Sequence, residues 1–367
     1  MSTASLPDLL AAPADDLLTL TAALVAVPSV SRHEGELAGR VERRLAERAS
    51  GLALARVGNN VIVRTELGRD RRVVLGGHLD TVPANGNEEP RLDGDVLHGL
   101  GSTDMKGGLA VLLRLAEEIA DGREPRVDCT LFFYEGEEIA EEFNGLRHVF
   151  DDRPELLAGD FAVLLEPTGG HVEAGCQGTL HLRAYFDGER AHSARPWQGS
   201  NAIHAAGEVL HRLADHESDT VTVDGLPYRE SLQVVRVEGG VANNVVPDSC
   251  TLVVNRRFAP RYSVDEARTQ VEKLLAGADR IEVVNASAAA PPNLDHPLVS
   301  EFVETLGVDV EPKLGWTDVA RFAARGVPAV NFGPGDPDVA HTADERVTRA
   351  SLEQCYAALS RFLGVAT

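Results

Sequence analysis

No CxxC pair occurs among the four cysteines, Cys129, Cys176, Cys250 and Cys355. They are scattered, two of them inside the apolar runs CTLFF and SCTLVV, so buried free thiols in a reducing compartment are expected and no thiol chemistry is assigned. No stretch approaches the roughly 20 apolar residues that span a bilayer. Met1 to Asp16 also lacks a basic segment followed by an apolar run, so the expected location is the cytoplasm. Basic residues are in deficit, 35 Lys and Arg against 57 Asp and Glu, for a formal net charge of −22. Such a surface repels nucleic acid and anionic membrane at long range, and neither is expected as a partner. Internal repeats and low-complexity segments are absent as well.

What is present is an ordinary globular composition, 43% hydrophobic and 25% charged. At 367 residues the chain exceeds the usual size of a single core, so two domains, or one carrying a large insertion, are expected. Residues 8–27 and 36–48 have helical apolar spacing, followed by the strand-like runs LALARV, NVIVRT and RRVVLGGHLDT and a turn-rich stretch from Pro83 to Gly101. A helix then opens near Lys106, followed by the strand DCTLFFY, a further helical stretch and the strand FAVLLE. This alternation is α/β, an architecture that places functional groups outside the carboxyl ends of its strands. From Gly178 to Ser287 the order becomes βαββαβ, the ferredoxin-like split pattern, read as an inserted domain. The expected division is therefore a first domain of 1–177 and 288–367 around an insertion of 178–287, with ASAAAPPN as the return linker.

Polar residues directly after the strands form the candidate site. His78 and Asp80 lie two apart at the end of RRVVLGGHLDT, on one face, where the aspartate can fix the imidazole tautomer. Alone, the pair reads as a structurally hydrogen-bonded histidine. Asp104 in GSTDMKGG sits at a helix mouth and alone reads as readily as a helix cap as a functional carboxylate. DCTLFFY runs into Glu135, Glu137 and Glu138, FAVLLE into Glu166, and VPAVNFGPG leads to His341. Carboxylates converging at strand ends repel one another unless a cation neutralises them. The set His78, Asp104, Glu138, Glu166 and His341, imidazole and carboxylate without thiolate, suits catalytic zinc, with cobalt or manganese as substitutes. One bridging carboxylate would give each of two metals about three protein ligands and leave room for a shared water.

The motifs GGHLDTVP, GLGSTDMKGG, YEGEE, LLEPTGG, AHSARPWQGSNA, GGVANNVVPD and VAHTADE, in that order over nearly the whole chain, resemble the dinuclear-zinc amidohydrolases. That family includes aminoacylases, glutamate carboxypeptidases, acetylornithine deacetylases and succinyl-diaminopimelate desuccinylases. The resemblance implies a zinc-exopeptidase-like catalytic domain with a mixed sheet flanked by helices, and an inserted lid and dimerisation domain. It implies two Zn²⁺ per subunit, one on His78, Asp104 and Glu166, the other on Asp104, Glu138 and His341, with Asp104 bridging. It further implies that Asp80 orients His78, that Glu137 is the general base, and that the Asp104–Met105 peptide is cis. Two adjacent glutamates are usual after this strand in the family, which favours Glu137 and Glu138 and leaves Glu135 a supporting or solvated group.

By the same resemblance His192 crosses a homodimer interface to hydrogen-bond the scissile carbonyl oxygen in the neighbouring subunit. Asn244, Arg257 and, more weakly, Thr317 resemble residues that hold substrate oxygens, and Arg195 with Arg257 could hold substrate carboxylates bidentately. The ARPWQGSNA loop and the EEIAEEFNGL continuation resemble the family's desuccinylases, so the expected small-molecule substrate is N-succinyl-LL-2,6-diaminopimelate. Acetylornithine, other N-acyl amino acids and dipeptides are the alternatives within the family. One departure stands out: some desuccinylases carry paired arginines where this chain reads GCQGT, so Gln177 offers hydrogen bonds only. A metal-free binding protein of the same fold, the remote alternative, is disfavoured by the intact set of ligands, orienter and base.

Overall fold

The computed structural model describes residues 8–366, which form two compact units. The first comprises the chain up to Ala174, Asn293–Glu311 and the chain from Arg321 onward; the second comprises Gly175–Pro292 and Pro312–Ala320. No helix among the described residues is long and apolar enough to cross a membrane.

The first unit is built on a mixed eight-stranded sheet. Its central strands, in spatial order Asp128–Tyr134, Arg72–His78, Phe161–Leu164 and Ala329–Asn331, run parallel. Their sequences explain the placement: DCTLFFY and FAVL are buried throughout, as strands covered on both faces must be. The hairpin of Ala53–Val57 and Asn60–Arg64 adds antiparallel strands on one side, and Val172–Ala174 adds one on the other. Helix Gly107–Ala120 is mostly buried, and its glycine start allows it close to the sheet: a Cβ at Gly108 would stand 2.7 Å from the Leu165 carbonyl oxygen. Apolar contacts from Leu17–Val25 and Arg349–Leu363 complete this layer.

In the first unit two details differ from the sequence expectations. The helix expected over 8–27 begins only at Leu17, because the Asp16 side chain accepts the Thr19 N–H at 3.2 Å and caps it there. Within the turn-rich stretch, Arg91–Asp93 and Val96–His98 form a hairpin that pairs with Arg346–Thr348 into a three-stranded sheet.

The second unit holds a four-stranded antiparallel sheet in the order Ser231–Gly239, Ser249–Phe258, Gly178–Asp187, Arg280–Ser287. Helices Ala202–Ala214 and Val264–Leu274 place Ala206, Val209, Ala267 and Val271 in one core with Leu182, Leu252 and Phe258. The βαββαβ order is present with one addition, a hairpin of Thr220–Val223 and Leu226–Arg229 closed by Asp224 and Gly225, both at positive φ. The segment Pro312–Ala320, expected in the first domain, belongs to the second unit. It is bound there through Gln177 N–H to Lys313 O at 3.1 Å and Trp316 Nε1 to Ala288 O at 3.1 Å.

Candidate metal centre

Three neighbouring parallel strands end on the same edge of the first unit's sheet. His78 is the last residue of Arg72–His78, Glu137 and Glu138 follow Asp128–Tyr134, and Glu166 follows Phe161–Leu164. Asp104 comes from the segment Ser102–Lys106 ahead of the buried helix, and the Asp104–Met105 peptide is cis. His341 comes from the turn before Arg346–Thr348.

These five side chains form two triads with a shared member. His78 Nε2 lies 3.0 Å from Asp104 Oδ1 and 4.0 Å from Glu166 Oε2. His341 Nε2 lies 3.2 Å from Asp104 Oδ2 and 2.8 Å from Glu138 Oε1. Asp104 thus turns one oxygen to each histidine, as a bridging carboxylate does. In each triad the donor atoms lie within 4.8 Å of one another, so each can converge on one ion.

The electrostatics call for positive charge at this position. Burial disfavours the ionised form of Asp104, yet hydrogen bonds from His341 and His78 hold its carboxyl well below the usual carboxylate range. Asp104 and Glu138 push His341 up to about 10. Burial opposes the charged form of His78, but its bond to Asp104 and the charge of Glu166 raise it well above its ordinary value. Divalent cations would supply that positive charge instead, with the imidazoles neutral and coordinating. Two imidazoles and three carboxylates, without a thiolate, are a donor set that fits zinc, cobalt or manganese.

Asp80, fully buried, organises the chain around the triads. Its Oδ1 accepts the Glu137 N–H at 3.0 Å, and its Oδ2 accepts the Glu138 N–H at 3.1 Å and the Ser31 hydroxyl at 2.8 Å. His78 Nδ1 is closest to the Asp80 carbonyl oxygen, 3.0 Å, with Oδ1 at 3.5 Å. The orientation expected from the aspartate side chain is therefore exerted mainly by its backbone. Glu135 faces elsewhere: its oxygens accept the Asn59 N–H at 3.1 Å and the Asn59 side-chain amide at 2.7 Å. Ser31, which the sequence reading passed over, lies in PSVS, 49 positions before its partner. A hydroxyl there carries no local signal of its role.

The remaining candidates lie in the second unit. His192 is exposed, and its Nδ1 accepts the Ala194 N–H at 3.0 Å. Its loop is joined to the GGVANNVVPD loop, where the Ser193 N–H donates to Asn244 O at 2.9 Å, so His192 and Asn244 stand on adjoining segments. Arg195 is exposed and Arg257 half-buried on Ser249–Phe258. Thr317 is buried, its carbonyl accepting from Ala320 N–H and the Cys176 thiol. The Gln177 amide donates to Arg229 O at 2.8 Å, which ties it to the hairpin of its own unit. All four cysteines are free and buried, and burial pushes the Cys129 thiol up to about 12.

A model of peptidase family M20/M25/M40 matches residues 74–364. A Mycobacterium tuberculosis protein named putative succinyl-diaminopimelate desuccinylase DapE is 50% identical over 350 residues, covering 95% of this chain and 98% of its own. A Corynebacterium glutamicum protein named succinyl-diaminopimelate desuccinylase is 42% identical over 354 residues, covering 95% and 96%. The crystal structure of a tripeptidase from Staphylococcus aureus superposes with a TM-score of 0.76 at 22% identity, over 96% of this chain and 98% of that one. The family match takes in the strand that ends in His78 and runs past His341, so it contains both triads, and the fold agrees: the chain belongs to peptidase family M20/M25/M40.

Proposed function

We propose that this chain is a metal-dependent amidohydrolase that cleaves N-succinyl-LL-2,6-diaminopimelate to succinate and LL-2,6-diaminopimelate, a step toward diaminopimelate and lysine. The observation that carries the reaction class is the pair of triads sharing Asp104. The substrate is supported by the names of relatives 42–50% identical over 95% of the chain.

His78, Asp104 and Glu166 would hold one ion, and Asp104, Glu138 and His341 the other. Zinc held there would supply a Lewis acid, able to lower the pKa of a bound water and to polarise the amide carbonyl. Glu137 takes the proton of the attacking water and delivers it to the leaving nitrogen, as the water oxygen bonds to the succinyl carbonyl carbon and the C–N bond breaks. Asp80 fixes the Glu137 backbone for this task, and adjacent side chains diverge, which leaves Glu138 on His341. Because His192 Nδ1 accepts a backbone N–H, its ring proton belongs on Nε2, which donates to the carbonyl oxygen as negative charge develops. Arg257 and Arg195 hold substrate carboxylates, and Asn244 and Thr317 add hydrogen bonds. The working assembly is a homodimer through the second unit, whose edge strand leaves Val235 59% and Val237 52% exposed.

The test is a parallel assay of zinc-loaded protein on N-succinyl-LL-2,6-diaminopimelate and on acetylornithine. Succinate release at the higher kcat/KM is expected. Faster cleavage of acetylornithine would move the substrate within the family, and no hydrolysis of either by protein holding two ions would overturn the reading.

A further inference from the structure

Glu345 has no part in the reaction as described, yet its carboxylate gathers three backbone donors. It is 1% exposed and lies four positions beyond His341 in the run HTADE. Its Oε2 accepts the Gly101 N–H at 2.9 Å, and its Oε1 accepts the Thr103 and Asp104 N–H groups, each at 3.0 Å. Its backbone links the same two stretches. The Gly99 N–H donates to Glu345 O at 3.1 Å, and the Glu345 N–H donates to Thr342 O at 3.3 Å. Burial pushes the Glu345 carboxyl above its ordinary value and the nearby Asp104 adds to this, while the three backbone donors oppose it.

One residue therefore ties the turn carrying His341 to the turn carrying Asp104. Both turns need holding. His341 has φ 61°, a left-handed conformation rarely taken by residues other than glycine, and Gly101 has φ 75°. Three backbone N–H groups from one turn meet on a single side chain out of contact with water, where such bonds are stronger than in water and costly to leave unmade.

We infer that Glu345 is a positioning residue of the metal centre, one that sets the spacing of Asp104 against His341. The inference rests on the two-ion reading given above. It has a directional consequence. Loosening Glu345 displaces Asp104 alone in the triad with His78 and Glu166, but displaces both Asp104 and His341 in the triad with Glu138. The second ion should weaken more than the first.

Glu345→Gln keeps the shape but replaces one oxygen with an amino group, so at least one backbone N–H then faces a donor. Partners of this kind, one step removed from the metal, typically contribute about 10- to 100-fold in metal affinity. Metal-free full-length protein is titrated with zinc in the wild type, in Glu345→Gln and in Thr65→Val. The last removes a buried hydroxyl bonded to Asp128 at 2.5 Å, away from the triads. Two ions per chain are expected for the wild type. In Glu345→Gln one ion should weaken about 10- to 100-fold and the other only a few-fold. Thr65→Val should lower Tm and leave both ions unchanged.

His341→Ala identifies the ion concerned, because the ion it keeps belongs to the His78 triad and adding Glu345→Gln should alter that ion only a few-fold. Unchanged affinity for both ions in Glu345→Gln, or equal weakening of both, would overturn the inference. A wild type that binds no zinc would overturn the two-ion reading instead. If Glu345→Gln does not fold, Glu345→Asp, which keeps the carboxyl group but shortens the reach, is read by the same criteria.

Discussion

Glu135 and Glu137 stand two positions apart on one turn, and on the proposed reading only Glu137 is the base. Glu135 spends both oxygens on Asn59, whereas Glu137 follows a backbone N–H fixed by Asp80. Glu137→Gln should keep both ions and lose about 10²- to 10⁴-fold in kcat, since a proton shuttle contributes to turnover far more than to binding. Glu135→Gln should turn over near normally and show its cost in Tm. Metal content and kcat measured on the same preparations check both, and the reverse pattern would reassign the base. The sequence made His78, Glu138 and Glu166 legible because parallel strands put chemistry at their carboxyl ends, a rule that needs no coordinates. It left Ser31 and Glu345 unread for the opposite reason. Their partners are an aspartate 49 positions away and backbone N–H groups as far as 244 positions away, and nothing in the residues' own surroundings announces either. Choosing Glu137 over Glu135 rests on resemblance, and the structure adds only that both Glu135 oxygens are bonded to Asn59.

Among the elements, the long periodic ones were readable and the short ones were not. Asp128–Tyr134 and Gly107–Ala120 carry enough apolar residues to declare themselves, while the hairpins at Gly94 and Asp224 have strands of three or four residues, too short for a period to emerge. Helix Gly35–Arg48 owes its seat to an ion pair that periodicity does not foresee. Arg44 is fully buried, its Nε donates to Glu117 Oε1 at 2.5 Å, and its Nη1 donates to the carbonyls of Leu9 and Ala12. Removing one partner of a buried pair strands the other, so Arg44→Met should cost about 3–5 kcal/mol. Arg44→Met with Glu117→Leu should recover much of that loss, and denaturant unfolding of the two variants measures the difference. Asp128, which opens its strand, predicts an acid response. Burial raises its pKa, but bonds from Thr65, Leu67 N–H and Arg69 N–H outweigh burial and leave it lowered. A carboxyl whose folded value lies below its unfolded value of about 3.9 adds stability above that value and loses it as pH falls through the folded one. Stability measured from pH 6 down to 2 should therefore fall less steeply in Asp128→Asn than in the wild type, from a lower starting point.

At the scale of the whole molecule, the proposed homodimer is motivated by the exposed valines of the edge strand and by the second unit's histidine. Val235 and Val237 on the edge strand Ser231–Gly239, Val241 two positions past its end and Ile203 near the start of helix Ala202–Ala214 are exposed apolar side chains. An open sheet edge with apolar side chains is a surface that a second copy can cover about a two-fold axis. Val237→Arg should accordingly shift sedimentation toward the monomer. His192 belongs to this same unit and serves, on the proposed reading, the metal centre of the neighbouring subunit. His192→Ala should retain its ions and its dimer but lose on the order of 10²–10³ in kcat, the usual cost of one preorganised donor to a developing oxyanion. Mixing subunits decides which chain the histidine serves. A heterodimer of His192→Ala with Glu137→Gln contains one composite site with both an intact Glu137 and a donated His192, and that site should regain close to the turnover of one wild-type site. The other composite site lacks both groups and contributes nothing. If such heterodimers form, as tagged subunits can show, and stay as slow as either parent, then the histidine acts within its own chain and the cross-subunit assignment is wrong.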